Sequence, residues 1–313
     1  MSFLRPGEIS QKIKHDLRVQ KYQAKKHWKH YLFMLPYLLL FTTFIILPVI
    51  IAICISFTSF NIMESPQWIG IQNYVNLFVN DELFIKSIVN TIMFAVIIGP
   101  GGYLLSLLLA WLLNDLTRGL RVFFTIIFYA PSITGGMTII WGFLFSGDMQ
   151  GLINSTLYRF GLITTPIQFF QDTAYIVPLL MVIMLWMSLG TSFLSFIAGL
   201  QGVDKQYYEA AAIDGIRNRW QELWFVTLPL MKPQLMFGAV MSITSAFSCG
   251  AMFDAIAGFP TVDYVAHTMI NHMNDFGLAR YEMGYASAIA TLLFLMMIGT
   301  NKLIQFVLNR VGS

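Results

Sequence analysis

The chain reads as an all-α integral membrane protein with six transmembrane helices, and three observations carry that reading. Its 313 residues are 57% hydrophobic and only 11% charged, with a mean hydropathy of +0.66, whereas soluble chains carry about 25% charged residues. Apolar runs of the length that crosses a hydrocarbon core, about 20 residues, occur six times. All but one of the 19 Lys and Arg residues fall outside these runs, with a strong bias to one side.

The runs are Tyr31–Phe57, Ile88–Leu113, Val122–Phe145, Ala174–Leu200, Pro233–Ile256 and Met283–Leu308. Several contain Pro or Gly: Pro48 in the first, Gly99-Pro100-Gly101-Gly102 in the second, Pro131 and Gly135-Gly136 in the third, Pro178 and Gly190 in the fourth. Lipid offers no hydrogen bonds, so such interruptions survive only where neighbours re-satisfy the freed backbone groups. Kinked, closely packed helices are therefore expected. Cys54 and Cys249 both lie inside apolar runs, where a thiol packs as a small hydrophobe. They supply neither a disulfide framework nor a metal spacing.

Orientation follows from the cations. Sixteen Lys and Arg lie before the first run, after the second and fourth, or at the end of the chain, and only Lys86, Arg159 and Arg280 lie opposite. The positive-inside rule then expects both termini and the loop 201–232 in the cytoplasm. The basic tail, residues 1–30, is too polar and its following run too long for a signal peptide. It is expected on the anionic inner leaflet, so membrane lipid is a partner, and residues 31–313 form the membrane domain. A net charge of +3 gives no reason to expect nucleic acid.

The chain carries little chemistry of its own. It has no G-x-x-x-x-G-K-[ST], H-E-x-x-H or G-x-S-x-G motif and no paired acids within a run, so neither a catalytic residue nor a bound cofactor is expected. His267 and His272, with Asp263 and Asp275, read as a solvated outer loop rather than a zinc site, which needs three or four convergent ligands. Asp254 lies at the outward edge of the fifth run, where an ionisable residue is a functional candidate. Nearness to water favours a structural or gate-lining role over ion coupling. An ion-coupled secondary transporter of a small polar solute remains the alternative at this stage.

The most unusual segment follows the fourth run. Asp204–Asp214 is expected to form a short helix with Tyr207, Tyr208, Ala211 and Ala212 on one face, stopped by Gly215 in a positive-φ turn. Glu209-Ala210-Ala211 sets small residues beside a charge, which permits close approach of a partner, and Leu228-Pro229 marks the return toward the bilayer.

This arrangement resembles the Glu-Ala-Ala loop of the permease subunits of bacterial ATP-binding-cassette importers. Glu209, Ala210, Ala211, Gly215, Val226, Leu228 and Pro229 match the family pattern, with Val in place of Ile and one additional residue within Ile216–Phe225. Phe128-Tyr129-Ala130-Pro131-Ser132, Leu189-Gly190, Asn90-Thr91 and Trp68–Tyr74 are similar to the maltose and glycerol-3-phosphate branch of those permeases. The resemblance implies a type I ABC importer permease fold in the inner membrane, with a cytoplasmic coupling helix. It implies a second homologous permease, two ATPase subunits that use ATP and Mg, and an extracellular solute-binding protein that delivers a sugar or oligosaccharide. It assigns ATPase coupling to Glu209, Ala210, Ala211, Asp214, Gly215, Leu228 and Pro229. It assigns the sugar path to Tyr129 and Ser132, Gly190 and Phe193, and Ser242, Ser245 and Ser248. Rings would stack on sugar C–H faces and hydroxyls would exchange hydrogen bonds, although hydroxylated residues also serve helix packing in membranes.

Overall fold

The first apolar run folds as one helical stretch made of α1 (Trp28–Phe41), a π-helical turn (Thr42–Ile46) and α2 (Leu47–Ile55), of which Leu32–Ile55 is long and apolar enough to cross a membrane. The wide turn comes just before Pro48, which cannot donate to a regular α-ladder and would crowd the carbonyl four residues back. A π-turn is one way a helix accommodates that defect. This is a computed structural model describing residues 28–310, so the basic tail lies outside the described residues apart from Trp28–His30. The chain divides into two units, up to Cys54 and from Ile55 onward.

The second unit is organised around α4 (Glu82–Asn114), preceded by the short α3 (Gln72–Val79). Asp81 starts α4, its side chain accepting from the Phe84 N–H, which satisfies one of the donors a helix start leaves open. The Gly-Pro-Gly-Gly sequence does not break this 33-residue helix. It serves close packing instead: a Cβ on Gly102 would overlap the Ser188 side chain, so the absence of one lets the end of α8 (Thr173–Met187) approach the α4 backbone. Small residues are the usual means of such approach in membranes.

Side chains of α4 enter all three buried apolar clusters. Phe84 packs with Ile243, Met269 and Ile289, Phe94 and Ile98 with Ile176, Leu180 and Phe253, and Ala110 and Leu113 with Phe193, Phe196 and Leu200.

The middle runs are broken. α5 (Arg118–Ile133) and α6 (Met137–Leu144) meet at 92°, while α8 and α9 (Thr191–Gly202) meet at 40°. The fifth run divides into α12 (Lys232–Phe247) and α13 (Gly250–Ala257) around Ser248-Cys249. Before α12, a helical stretch, α11 (Arg219–Leu230), joins it at 83°. The last run is the unbroken α15 (Met283–Arg310), and a short helix, α7 (Leu152–Arg159), lies in the connection before α8. Among the described residues no β-strand forms, the single antiparallel bridge being Thr58 with Trp68.

Candidate functional site

The breaks converge. Ser132 ends α5 just before its bend, Ser188 and Gly190 bracket the bend between α8 and α9, and Ser248 separates α12 from α13. These residues line one cavity of about 420 Å³ together with Thr191, Ser192, Ser242, Thr244 and Ser245, and with Met184, Met187, Met241 and Met252. The wall therefore alternates hydroxyl donors and acceptors with flexible thioethers. It offers hydrogen bonding to a polar solute without offering a fixed charge.

Five of the seven residues assigned to a solute path line this cavity: Ser132, Gly190, Ser242, Ser245 and Ser248. Phe193 faces away from it. It is fully buried, its ring 6.4 Å from that of Phe128, and packs with the Ala110 end of α4. Tyr129 is half-buried and is not part of the lining, although its carbonyl accepts from Ser132 Oγ at 2.8 Å. Ser242 has a packing role as well, with its Oγ 3.2 Å from Ser192 Oγ, while Ser245 and Ser248 are exposed. Ser188, Thr191, Ser192 and Thr244 belong to the lining but were not singled out from the sequence. Their only signal is a hydroxyl beside a helix break.

The Glu-Ala-Ala segment forms α10 (Lys205–Ile213). Asp204 caps its start by accepting from Gln206 N. Its end is a Schellman motif: Gly215 N donates to Ala212 O at 3.3 Å and Ile216 N donates to Ala211 O at 3.0 Å, with Gly215 at φ +95°. That pair of bonds requires a left-handed residue after the helix, which Gly provides without steric cost. The helix turns Tyr208 and Ala211 inward, whereas Tyr207, Glu209, Ala210, Ala212, Ile213 and Asp214 are exposed. Of the four residues expected on one face, only Tyr208 and Ala211 are turned inward, and Tyr207 and Ala212 flank them at the edges of that stripe. Tyr208 OH lies 3.0 Å from Thr227 Oγ1, fixing α10 to the π-helical turn Leu223–Thr227 that leads into Leu228 and Pro229.

The opposite end of α4 carries a buried polar cluster. His267 and His272, read from the sequence as solvated, are 3% and 2% exposed. The reason is tertiary: α14 (Met269–Asn274) is held against α4 by Thr91 Oγ1, which accepts from Met269 N at 2.9 Å. Asn90 Nδ2 also donates to the carbonyls of Tyr264 and His267 at 3.1 and 2.9 Å. Lys86 Nζ donates to the Asp263 carbonyl. Asp263 and Tyr264 are left-handed, with φ of 49° and 53°, so both carbonyls of this strained pair are taken by α4. Asp81 Oδ2 accepts from His272 Nε2 and from Tyr285 OH, each at 2.9 Å.

Burial alone would raise the Asp81 pKa. The hydrogen bonds from Phe84 N and Tyr285 and the field of His272 outweigh it and hold the carboxyl below its usual value. Burial pushes His267 down to about 4, reinforced by the neighbouring His272, and lowers His272 too, against the opposing pull of Asp81. Asp254 accepts from Asn271 Nδ2 at 2.6 Å, which links α13 to α14.

Comparison with known proteins adds kinship to this geometry. Residues 102–312 match the family described as binding-protein-dependent transport system inner membrane component. The chain is 32% identical over 282 residues to the probable ABC transporter permease protein YesP of Bacillus subtilis, covering 88% of each chain. It is 29% identical over 244 residues to the lactose transport system permease protein LacF of Rhizobium radiobacter, covering 77% of this chain and 78% of that one. A solved bacterial alginate ABC transporter, in complex with an alginate pentasaccharide-bound periplasmic protein, contains a chain similar at a TM-score of 0.76 and 22% identity, over 93% of this chain and 98% of its own. That last likeness is one of fold.

Proposed function

We propose that this chain, which belongs to the family of binding-protein-dependent transport system inner membrane components, forms with a second homologous permease the path by which a sugar or oligosaccharide enters the cell. An extracellular binding protein delivers the solute. Two separate ATPase subunits, which carry ATP and Mg, drive the cycle through α10.

The observation that carries the reading is the convergence of three helix breaks on one hydroxyl-rich cavity. Irregular backbone at membrane depth is tolerated only when it is buried in protein or lines a cavity. Hydroxyls suit a polyhydroxylated solute, since each can both donate and accept. The exposed Glu209, Ala210 and Asp214, held on a capped helix, support a docking face that meets an ATPase cleft. The 16-to-3 distribution of cations supports a cytoplasmic position for that face and for both termini. Asp254, the acid an ion-coupled carrier would use, is engaged by Asn271, which supports a structural latch.

The test is uptake by proteoliposomes holding the complete complex with its binding protein. Uptake should require ATP, be blocked by vanadate, and be lost in Glu209→Lys while insertion in the membrane is retained. Uptake driven by a proton gradient through this chain alone would overturn the proposal.

A further inference from the structure

The end of α4 beside the coupling segment carries a cluster of charged and aromatic groups that the proposed pathway leaves unused. Asp115 follows the last residue of α4, and its carboxylate pairs with the guanidinium of Arg219. The same guanidinium lies 5.0 Å over the ring of Trp111, within reach of a cation–π attraction. Trp111 in turn has its ring 4.8 Å from that of Trp220. A polar cleft of about 470 Å³ separates this group from α10, with Lys205, Tyr208 and Thr227 in its wall.

Both charges stand at the wrong end of their own helix. Arg219 occupies the first turn of a helical stretch whose start is capped by Asn218, where the helix dipole disfavours a cation. Asp115 occupies a C-terminus, where it disfavours an anion. Neither residue is explained by its local structure, whereas each compensates the other. The pair is also open to solvent, with side chains 50% and 42% exposed, and such pairs contribute little to folding stability. Their joint effect is to fix Arg219–Leu230 against α4. Arg121 secures the α4 side of the joint, its Nη2 donating to the carbonyls of Asn114 and Leu116 at 3.0 and 3.1 Å.

We propose that Arg219, Asp115 and Trp111 are positioning residues that carry displacement of the coupling loop into α4, beside the covalent route through Pro229 into α12. The path is continuous. α10 is tied to Thr227 by Tyr208, the stretch containing Thr227 begins at Arg219, and Arg219 grips α4. Further along, α4 meets the cavity-lining segment where Gly102 abuts Ser188. Movement of α10 therefore reaches two sides of the cavity together. The inference rests on the coupling role given to α10.

The test uses the complete transporter with its binding protein in proteoliposomes, reading ATP hydrolysed per solute imported. Asp115→Asn and Arg219→Gln should each raise that ratio by about twofold to thirtyfold, the range expected for residues on a coupling route, with membrane insertion and ATPase association unchanged. Trp111→Leu should act in the same direction. The exchanged pair, Asp115→Arg with Arg219→Asp, should return the ratio toward wild type, which shows that the contact between the two side chains, rather than either residue alone, sets the coupling. Unchanged ratios in the single variants, or an exchanged pair no better than either single, would overturn the inference. Failure of any ATPase to associate with the wild-type chain would instead overturn the coupling role on which it rests.

Discussion

His272 donates through Nε2 to Asp81 Oδ2 at 2.9 Å, and that bond fixes the tautomers of two histidines. An ionised carboxylate only accepts, and burial favours a neutral His272, so in that form Nε2 carries the proton and Nδ1 is bare. His272 Nδ1 lies 3.0 Å from His267 Nε2, which must then be the donor. His267 Nδ1 is left without a proton, buried and without a hydrogen-bond partner. Asp275, Arg280 and Lys86 contribute weaker fields of both signs.

The pH dependence of stability follows from that arrangement. His267 titrates near 4 in the fold against an ordinary 6.5, so the unfolded chain binds the proton more readily. The neutral form's contribution is present in full above about pH 6.5 and is lost as the pH falls toward 4, a change on the order of 3 kcal/mol. Thermal melting in detergent should show the midpoint falling across pH 6.5 to 4, and His267→Gln should flatten that part of the profile.

Asn90 is the second fastening of the same segment. Asn90→Ala leaves the carbonyls of Tyr264 and His267 without their donor, at a cost of about 1–3 kcal/mol for buried groups left unpaired. Amide exchange across 262–272 should quicken by roughly tenfold or more. Exchange in α15 serves as the internal control and should hold its rate.

Gly215→Ala tests the helix stop. Its φ of +95° is one an L-residue rarely adopts, and the strain of about 1 kcal/mol falls on a segment exposed to solvent. The melting temperature should therefore change little. Exchange at Gly215 and Ile216, whose amides close the motif, should rise, and uptake should fall.

Ser245→Phe tests the cavity. Ser245 is exposed and lines the wall, so the larger ring enters open space rather than a packed core. Expression and insertion should match wild type while solute uptake drops sharply. Normal uptake in that variant would remove Ser245 from the path.

The sequence displays what depends on near neighbours. Apolar runs announce the helices, and the Gly215 stop and the Asp204 cap are legible because each acts within a few residues. Properties set by distant residues are not legible. Nothing near His267 or His272 indicates burial, because Asn90 and Thr91, some 177 positions away, enclose them. Phe193 shares its segment with the cavity residue Gly190, but one turn of helix points it into the cluster with Phe128. The Gly-Pro-Gly-Gly sequence suggests a kink when read alone, and only the closeness of Ser188 reveals its packing purpose.

The length of α4 has a consequence for the membrane surface. Its 33 residues extend about 50 Å at 1.5 Å per residue, against a hydrocarbon thickness of about 30 Å. The surplus is not distributed evenly: Ser87, Asn90 and Thr91 are buried polar residues near its start, whereas the stretch from Ile92 to Leu113 matches a bilayer. The helix is thus about ten residues, or roughly 15 Å, longer than the hydrocarbon requires. The extra length is occupied: Asp81, Lys86 and Asn90, at or near the start of α4, fasten His272, the strained turn at Asp263 and His267 to it, so the surplus works as an anchoring rod for the segment 263–272.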